Sequence, residues 1–405
     1  RAEDTEILTE NGWRTHKDVK VGDVVAAWDH STGAVLLEKV EHVTVAPYSG
    51  DMVRLNNDNT DQLLTPNHRV YGRSCVKVQA GGIRTSFYRE KWSVRQAGDI
   101  NGWQPIKLPL AGYHDGPGIG GTDYAELLGW VWTEGGFDIN GTGVRVYQSS
   151  VNQDKVDMID RCLTVNGISA KHYTRDRVYQ GRSYTEHCWF FTGESALRVR
   201  ASLPGKHPTW ELLWGMTLDE KRALLDSAML GDGSGTAFYQ KDDADREWFQ
   251  ALLHCVGMQG RDNPKKFVVS THDNAETELQ SRHLASRSEP YDGVVWCVSV
   301  PSKAFLARRN GKVFITGNSG FPKSHDVSKG IDKTLGVTER PIVGEKLGAD
   351  RLRNQTKDGK RDGNGKWGDE VGRDPYLRKS VTDEAQQWHG WGTGLKPSYE
   401  PVVLA

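Results

Sequence analysis

Apolar residues in the first hundred positions come in short alternating runs. EILT before Asn11-Gly12, VVAAW after Gly22-Asp23, then VLLEKVEHVTVAPY, DMVRLNN and QLLTPNHRVYG carry the two-residue period of half-buried strands, separated by turn residues. Residues 1–110 are therefore expected to form a small all-β body. From Ala111 the period lengthens. After a Gly-rich link, HDGPGIGG, four stretches space their apolar residues for helices: DYAELLGWVWTEGGF, VNQDKVDMIDRCLTVNG, TLDEKRALLDSAMLGDGSG and DADREWFQALLHCVG. Between the second and third lies KHYTRDRVYQGR, Lys171 to Arg182, with aromatics interleaved among its charges. Alternation returns in YDGVVWCVSVPSKAFLARRNGKVFITGN, with a turn at Pro301 and a hairpin at Asn310-Gly311. Beyond Ser319 the pattern predicts a short helix over 327–335 and then a polar loop, NQTKDGKRDGNGKWGDEVGRD.

Composition narrows the classes. With 405 residues the chain has room for several domains and an ample core. Its 52 Lys+Arg against 53 Asp+Glu give no global basic field of the kind that marks a nucleic-acid binder. Cys75, Cys162, Cys188, Cys255 and Cys297 are odd in number and show no CxxC spacing. That argues against a zinc ribbon or a disulfide framework, and for a reducing cytoplasm. No apolar run is long enough to span a bilayer and the start is not signal-like, so no membrane partner is expected. The first residue is Arg1 instead of Met, which reads as a processed chain or a fragment.

The chemistry that organises the chain lies at Gly317-Asn318-Ser319. An asparagine amide can attack its own backbone carbonyl, closing a succinimide and cutting the chain after itself. A hydroxyl in the next position, here Ser319, is a competent acyl acceptor. A plain turn is the alternative reading of the tripeptide. The rest of the sequence favours the chemistry. AEDTEILTENGW followed by VGDVV resembles the opening block of inteins, the splicing domains of the Hint fold, and TPNHRVYG resembles their second block. The stretch ending in VFITGN resembles their last two.

That resemblance implies roles. Thr65 and His68 match the TxxH pair, in which the histidine protonates the scissile amide nitrogen while the threonine and nearby N–H groups polarise the carbonyl. Asp4 and Thr5 place the family's first nucleophile, a cysteine, one position before Arg1. Asn318 would cyclise and Ser319 would accept the acyl group, with no cofactor. Two departures stand out: Gly317 occupies the place of a histidine that assists asparagine cyclisation, and Cys297 that of an aspartate. C-terminal cleavage is then expected to be slow or to draw on His68. In class 3 inteins a cysteine at the place of Cys297 takes the first acyl group, accompanied by a threonine matching Thr316. The tryptophan of that class is here Val70, so the ordinary pathway is preferred, with Cys297 as an accessory proton donor.

Within 111–285, LLGWVWTEG (Leu127 to Gly135) and LDSAMLGDG (Leu225 to Gly233) resemble the LAGLIDADG motif of homing endonucleases. Small residues one turn apart, Gly129 with Thr133 and Ser227 with Gly231, would let the two helices pack closely. The resemblance implies that Glu134 and Asp232 hold Mg²⁺ between the scissile phosphates of double-stranded DNA, in a pseudo-symmetric monomer. It also implies a supporting role for Lys206. Two features weigh against activity: Glu134 replaces the usual aspartate, and 111–285 carries 18 Lys+Arg against 24 Asp+Glu. KHYTRDRVYQGR is the best local patch for DNA, with a solvated hairpin as its alternative. Two ordinary helices ending at glycine are the plain alternative to the motif.

After the seam, SGFPKS with DVSKGID, and WGTGLKPSYEPVV, resemble DNA amino-methyltransferases, which use S-adenosylmethionine. The DPPY loop and the glycine-rich cofactor motif of that family are absent, so this piece is not expected to methylate alone. The expectation is a multidomain chain. An all-β Hint splicing domain (1–110 and 286–318) is split by an α+β LAGLIDADG endonuclease insertion (111–285) and followed by a partial α/β methyltransferase (319–405). Its setting would be the cytoplasm of a bacterial or phage-infected cell. Two alternatives stay open: a Hint-type autoprocessing domain with an inactive DNA-binding insertion, and a methyltransferase with a structural insertion that never splices.

Overall fold

The computed structural model describes residues 1–80, 83–100, 104–179, 181–284 and 288–318, with short stretches between 331 and 387. The chain divides into two units, Arg1–Gly320 and Phe321–Ala405. It is multidomain and α+β. In the smaller unit Ile342–Glu345 pairs with Tyr376–Arg378, and the Asp332 carboxylate accepts the Thr382 N–H at 2.9 Å. The expected polar loop, SGFPKS and WGTGLKPSYEPVV lie outside the described residues, as does most of the helix expected over 327–335. Among the described residues no helix is long and apolar enough to cross a membrane.

The larger unit is built on an antiparallel sheet of ten strands. Its path runs from Val35–Lys39 through Val24–Trp28, Glu6–Thr9, Ala304–Arg309 and Lys312–Gly317, and then on to Gln259–Asn263, Val268–His272, Ala237–Tyr239 and Gly233–Ser234. The Asn310-Gly311 hairpin forms with φ of 51° and 72°, the left-handed pair that a two-residue turn between twisted strands needs. DMVRLNN is not a strand of its own: His42–Asn56 runs unbroken through it, paired along twelve residues with Ser288–Ser299. The long antiparallel partner holds the two runs in one strand. The alternating pattern also left unread a hairpin, Arg69–Ala80 with Ile83–Tyr88, which continues from the TPNH turn.

Among the described residues seven α-helices lie in 111–285: α1 (Thr122–Glu134), α2 (Gln153–Val165), α3 (Glu194–Ser202), α4 (Trp210–Gly215), α5 (Leu218–Asp232), α6 (Asp243–Cys255) and the single turn α7 (Ser281–Leu284). A capping box starts α5, with Thr217 and Glu220 satisfying each other's backbone N–H groups. The Glu220 carboxylate also accepts the N–H groups of Ile119, Gly120 and Gly121, so it pins the Gly-rich link to the start of α5. Helices and strands share one core, in which Leu8, Trp13 and Trp28 join Leu128, Val131, Leu224 and Phe249. Polar clasps reinforce it: Gln250 on α6 donates to the Gly311 carbonyl at 2.7 Å, and the Trp214 indole donates to the Glu10 carbonyl at 2.9 Å.

Candidate functional site

Two centres emerge. The first lies where the beginning of the chain, the Thr65–His68 turn and the end of Lys312–Gly317 meet. In the turn the His68 N–H donates to the Thr65 carbonyl at 2.9 Å, and both residues are buried. His68 Nε2 lies 2.8 Å from the hydroxyl of fully buried Thr316. Two residues on, the Asn318 N–H donates to the Lys303 carbonyl at 2.9 Å. Asn318 is buried, and its Oδ1 has no hydrogen-bond partner among the described residues. Ser319 lies outside them.

Gly317 has a steric explanation. A Cβ there would stand 2.7 Å from the Arg69 carbonyl oxygen and 2.9 Å from the Arg69 Cβ. The histidine expected at this position has no room.

Cys297 sits on Ser288–Ser299 opposite Thr44 and is buried. Arg1, which the motifs did not single out, lies against it. Its main chain pairs with that of Trp296, the amine donating at 3.3 Å and the carbonyl accepting at 3.0 Å. Its guanidinium sits 4.1 Å from the Phe305 ring and donates through Nη2 to Cys297 Sγ at 3.1 Å. Burial, helped by the guanidinium charge, pushes the amine down to about 5. His68 is held well below its ordinary range by burial first, then by the charges of the amine and Arg1, against a hydrogen bond to the Gly317 backbone. The imidazole is therefore neutral at pH 7. Thr65, His68, Thr316 and Asn318 are thus brought together, and Cys297 is joined to them through Arg1.

The second centre lies at the ends of α1 and α5, which run side by side in the same direction. A Cβ on Gly129 would stand 2.7 Å from the Leu224 carbonyl and collide with Ser227, and one on Gly231 would strike Thr133. Both helices break at a glycine already in extended conformation, Gly135 and Gly233, so Glu134 and Asp232 end their helices at one level. Burial raises the Glu134 carboxyl, and the Asp232 charge raises it further. Burial also raises Asp232, against the pull of Lys206. Lys206 donates to the Thr133 carbonyl at 3.3 Å from a backbone with φ of 73°, a conformation that non-glycine residues seldom hold.

Two neighbours of the dyad escaped the motif because they belong to later elements. Lys155 on α2 donates to the Leu230 carbonyl at 2.5 Å, and with Gln148 it draws the Glu134 carboxyl back down. Two crowded, half-buried carboxylates offer hard oxygen donors, and their repulsion would be relieved by a divalent cation such as Mg²⁺. A separate trio, His207, Asp242 and Asp245, has one ligand atom each within 4.8 Å of one another. Asp245 is already committed there, to the Trp132 indole at 3.0 Å and to His207 Nδ1 at 2.9 Å.

The hairpin Lys171–Tyr179 with Arg182–Phe191 completes a four-stranded sheet with Gly135–Phe137 and Val144–Ser149. Val144, Val146, Trp189 and Phe191 are buried. The alternate positions, among them Arg145, Tyr147, Tyr173, Arg175 and Arg177, share the other face. Arg145 stacks on Phe190 at 4.7 Å, and Glu186 pairs with both Arg175 and Arg177.

No family model matches the chain. It is similar to the ATP-dependent Clp protease proteolytic subunit of Chlamydomonas moewusii, 22% identical over 268 residues, covering 59% of this chain and 25% of that protein. It is also similar to the DNA-directed RNA polymerase subunit beta C-terminal section of Stigeoclonium helveticum, 21% identical over 432 residues, covering 86% and 38%. The chain thus spans a quarter to two-fifths of the length of these curated relatives. Among solved structures it is similar to mesophilic variants of the homing endonuclease I-DmoI, at 15% identity over 37% of this chain and 87% of that one, TM-score 0.27. I-DmoI in complex with DNA and Mn gives 14%, 37%, 88% and 0.28. A splice-inactive variant of the AceL NrdHF class 3 split intein gives 10%, 78%, 95% and 0.26.

Proposed function

We propose that 1–110 and 286–318 form a Hint-type splicing domain, an intein, interrupted at 111–285 by a LAGLIDADG-type DNA endonuclease domain. Residues 319–405 then belong to the host protein, read from sequence resemblance as a DNA amino-methyltransferase. One observation carries the proposal: residues 1 and 318 approach a single buried centre, with the Arg1 amine 3.3 Å from Trp296 and Asn318 following a strand held to His68 through Thr316. Splicing needs both junctions at one place. A plain autoprocessing domain or a structural insertion does not. The two curated relatives, named for unrelated activities and matched over a minor part of their length, also support an element carried by different hosts.

In this reading a nucleophile ahead of Arg1 attacks its upstream carbonyl, and neutral His68 relays the proton to the departing nitrogen while Thr65 helps polarise the carbonyl. Ser319 takes the acyl group by transesterification. The Asn318 amide nitrogen then closes on its own carbonyl carbon and expels the Ser319 nitrogen, and an oxygen-to-nitrogen shift leaves an ordinary peptide bond. A second pathway, in which Cys297 takes the first acyl group with Thr316 in support, is favoured by the Arg1 hydrogen bond to its sulfur. In the endonuclease domain Glu134 and Asp232 would hold Mg²⁺, with Lys206 beside them and the basic, aromatic sheet face against double-stranded DNA. The ion would supply a Lewis acid for phosphodiester hydrolysis. S-adenosylmethionine would serve only the complete host.

The test places a cysteine and a short flank before Arg1, expresses the chain and weighs the products intact, alongside Asn318→Ala. Splicing gives a ligated flank and a released species ending at Asn318, and Asn318→Ala abolishes the release. An unbroken precursor in both chains would overturn the proposal. Cleavage without ligation would select the autoprocessing alternative.

A further inference from the structure

Arg1 is 1% exposed, and its Nε and Nη1 have no hydrogen-bond partner among the described residues. Taking a guanidinium out of water without a counter-charge is among the costliest things a fold can do, so a buried cation needs an anion beside it. Glu3, the acid nearest in sequence, is exposed, and Asp4 and Asp61 are engaged elsewhere. Asp4 binds Arg309 at 2.8 Å, and Asp61 holds Arg309, Arg54 and Asn310. Around the guanidinium are the Phe305 and Trp296 rings, whose faces attract a cation but carry no charge. The one ionisable group that favours its positive form is Cys297.

We propose that Arg1 is a positioning residue that holds Cys297 as a thiolate, with Nε and Nη1 left to receive the oxygen of an acyl group carried on that sulfur. Three observations converge on it: the 3.1 Å bond from Nη2 to Sγ, the full burial of the guanidinium, and the two unused donors on the same planar group; against them stands the 3.2 Å contact of Sγ with the Val298 carbonyl, to which a protonated sulfur would donate. Other titratable groups in reach are few. His68 is kept neutral by burial, and the His16 ring faces that of Trp296 with centroids 6.0 Å apart. The rest of the shell is the apolar cluster that includes Ile7, Val25, Phe305 and Phe314. Without an anion on sulfur this shell would enclose an uncompensated positive charge.

The inference deepens the splicing reading at the same centre, and rests on it only for the chemical step. In that step the thiolate adds to the carbonyl carbon of the scissile peptide bond, the one just upstream of the residue that precedes Arg1. A carbon–sulfur bond forms, and the carbonyl π pair moves to oxygen, where the free guanidinium N–H groups meet it. Collapse restores the carbonyl and breaks the carbon–nitrogen bond. The nitrogen leaves as a neutral amine after taking a proton from solvent through His68, which replaces the one the thiol released to solvent when it ionised. Thiol and amide become thioester and amine, with no external reactant.

The test reads the thiolate itself. The ultraviolet absorbance of the full chain near 240 nm is titrated against pH, and the same curve for Cys297→Ser is subtracted to remove the other four cysteines. The difference should titrate about two units below the ordinary thiol value of about 8.5. Arg1→Gln should move it to or above that value, and Arg1→Lys should restore most of the shift. A difference curve in the ordinary range or higher for the unmodified chain overturns the inference without reference to any variant's folding. A low difference curve that Arg1→Gln leaves in place, in a variant with an unchanged unfolding midpoint, overturns the assignment to Arg1. Splicing in the flank-extended chain is scored separately: a thiolate without splicing sinks the functional reading alone, and splicing without a thiolate sinks this inference alone.

Discussion

The junction centre and the acidic dyad solve opposite problems with the same device. At the junction the groups come from strands and turns, and His68, Thr316 and Cys297 are sealed from water, with the imidazole held neutral. At the dyad the groups come from helix ends, are half-exposed, and keep two crowded carboxylates beside Lys206 and Lys155. The first arrangement suits a substrate that is the protein's own backbone, where solvent would hydrolyse an ester. The second suits a substrate and a cation that arrive from outside. Both depend on glycines that let backbones touch: Gly317 against Arg69, Gly129 and Gly231 across the helix pair. One packing device thus serves both a sealed centre and an open one where like charges accumulate.

The sharpest way to break this comparison is Gly317→His, which restores the residue that the intein resemblance leads one to expect. The new side chain must displace the Arg69 backbone, and a misplacement of about 1 Å at a reacting centre costs roughly a hundredfold in rate. Cleavage between Asn318 and Ser319, followed by intact mass, should therefore fall. Faster cleavage would show that Arg69 yields and that the glycine is a defect instead of a fitted gap.

Gly129→Val tests the other end. Its methyls would meet Ser227 and the Leu224 carbonyl, and overpacking of this kind costs about 3 kcal/mol. The urea midpoint should drop while cleavage at Asn318 persists under native conditions. An unchanged midpoint would mean that the helix contact is looser than described.

The smallest effect expected is electrostatic. Glu134 and Asp232 are held above their ordinary range, so the fold binds their protons more tightly than the unfolded chain does. Ionisation therefore weakens the fold as pH rises past the unfolded values near 4. Glu134→Gln or Asp232→Asn should raise the melting temperature by roughly 2 °C at pH 8 and leave it unchanged near pH 3, below both values. Mg²⁺ should stabilise the parent chain but not these variants. A variant equally stabilised at both pH values would place the gain outside charge repulsion.

Much of this was legible in sequence where a local rule decides the outcome. Asn310-Gly311 makes its hairpin because two consecutive left-handed residues suit that pair. The ends of α1 and α5 could be read from Glu134-Gly135 and Asp232-Gly233, because a glycine in extended conformation follows each acid. What escaped depends on partners far along the chain. His42–Asn56 stays straight through Gly50 because Ser288–Ser299 lies beside it, some 240 residues later by the paired numbers. Arg1 owes its place to Trp296, Cys297 and Phe305. Lys155 reaches the dyad from a helix whose own pattern advertises only an amphipathic surface.

The shared sheet and core have a consequence for inheritance. Lys312–Gly317 pairs with Gln259–Asn263, Arg308 bridges Glu6 and Glu247, and Trp210 fills the space above Gly12. On the proposed reading, a lineage that lost Glu134 or Asp232 to drift would lose only an acid of the cutting site. One that deleted residues 111–285 would uncover Trp13 and Trp28 and strip Arg308 of one of its two carboxylates. If the proposed reading holds, selection on splicing alone would then keep the helices long after selection on cutting had ceased. In such a gene the decay of the acids, not the loss of the domain, would record when mobility ended.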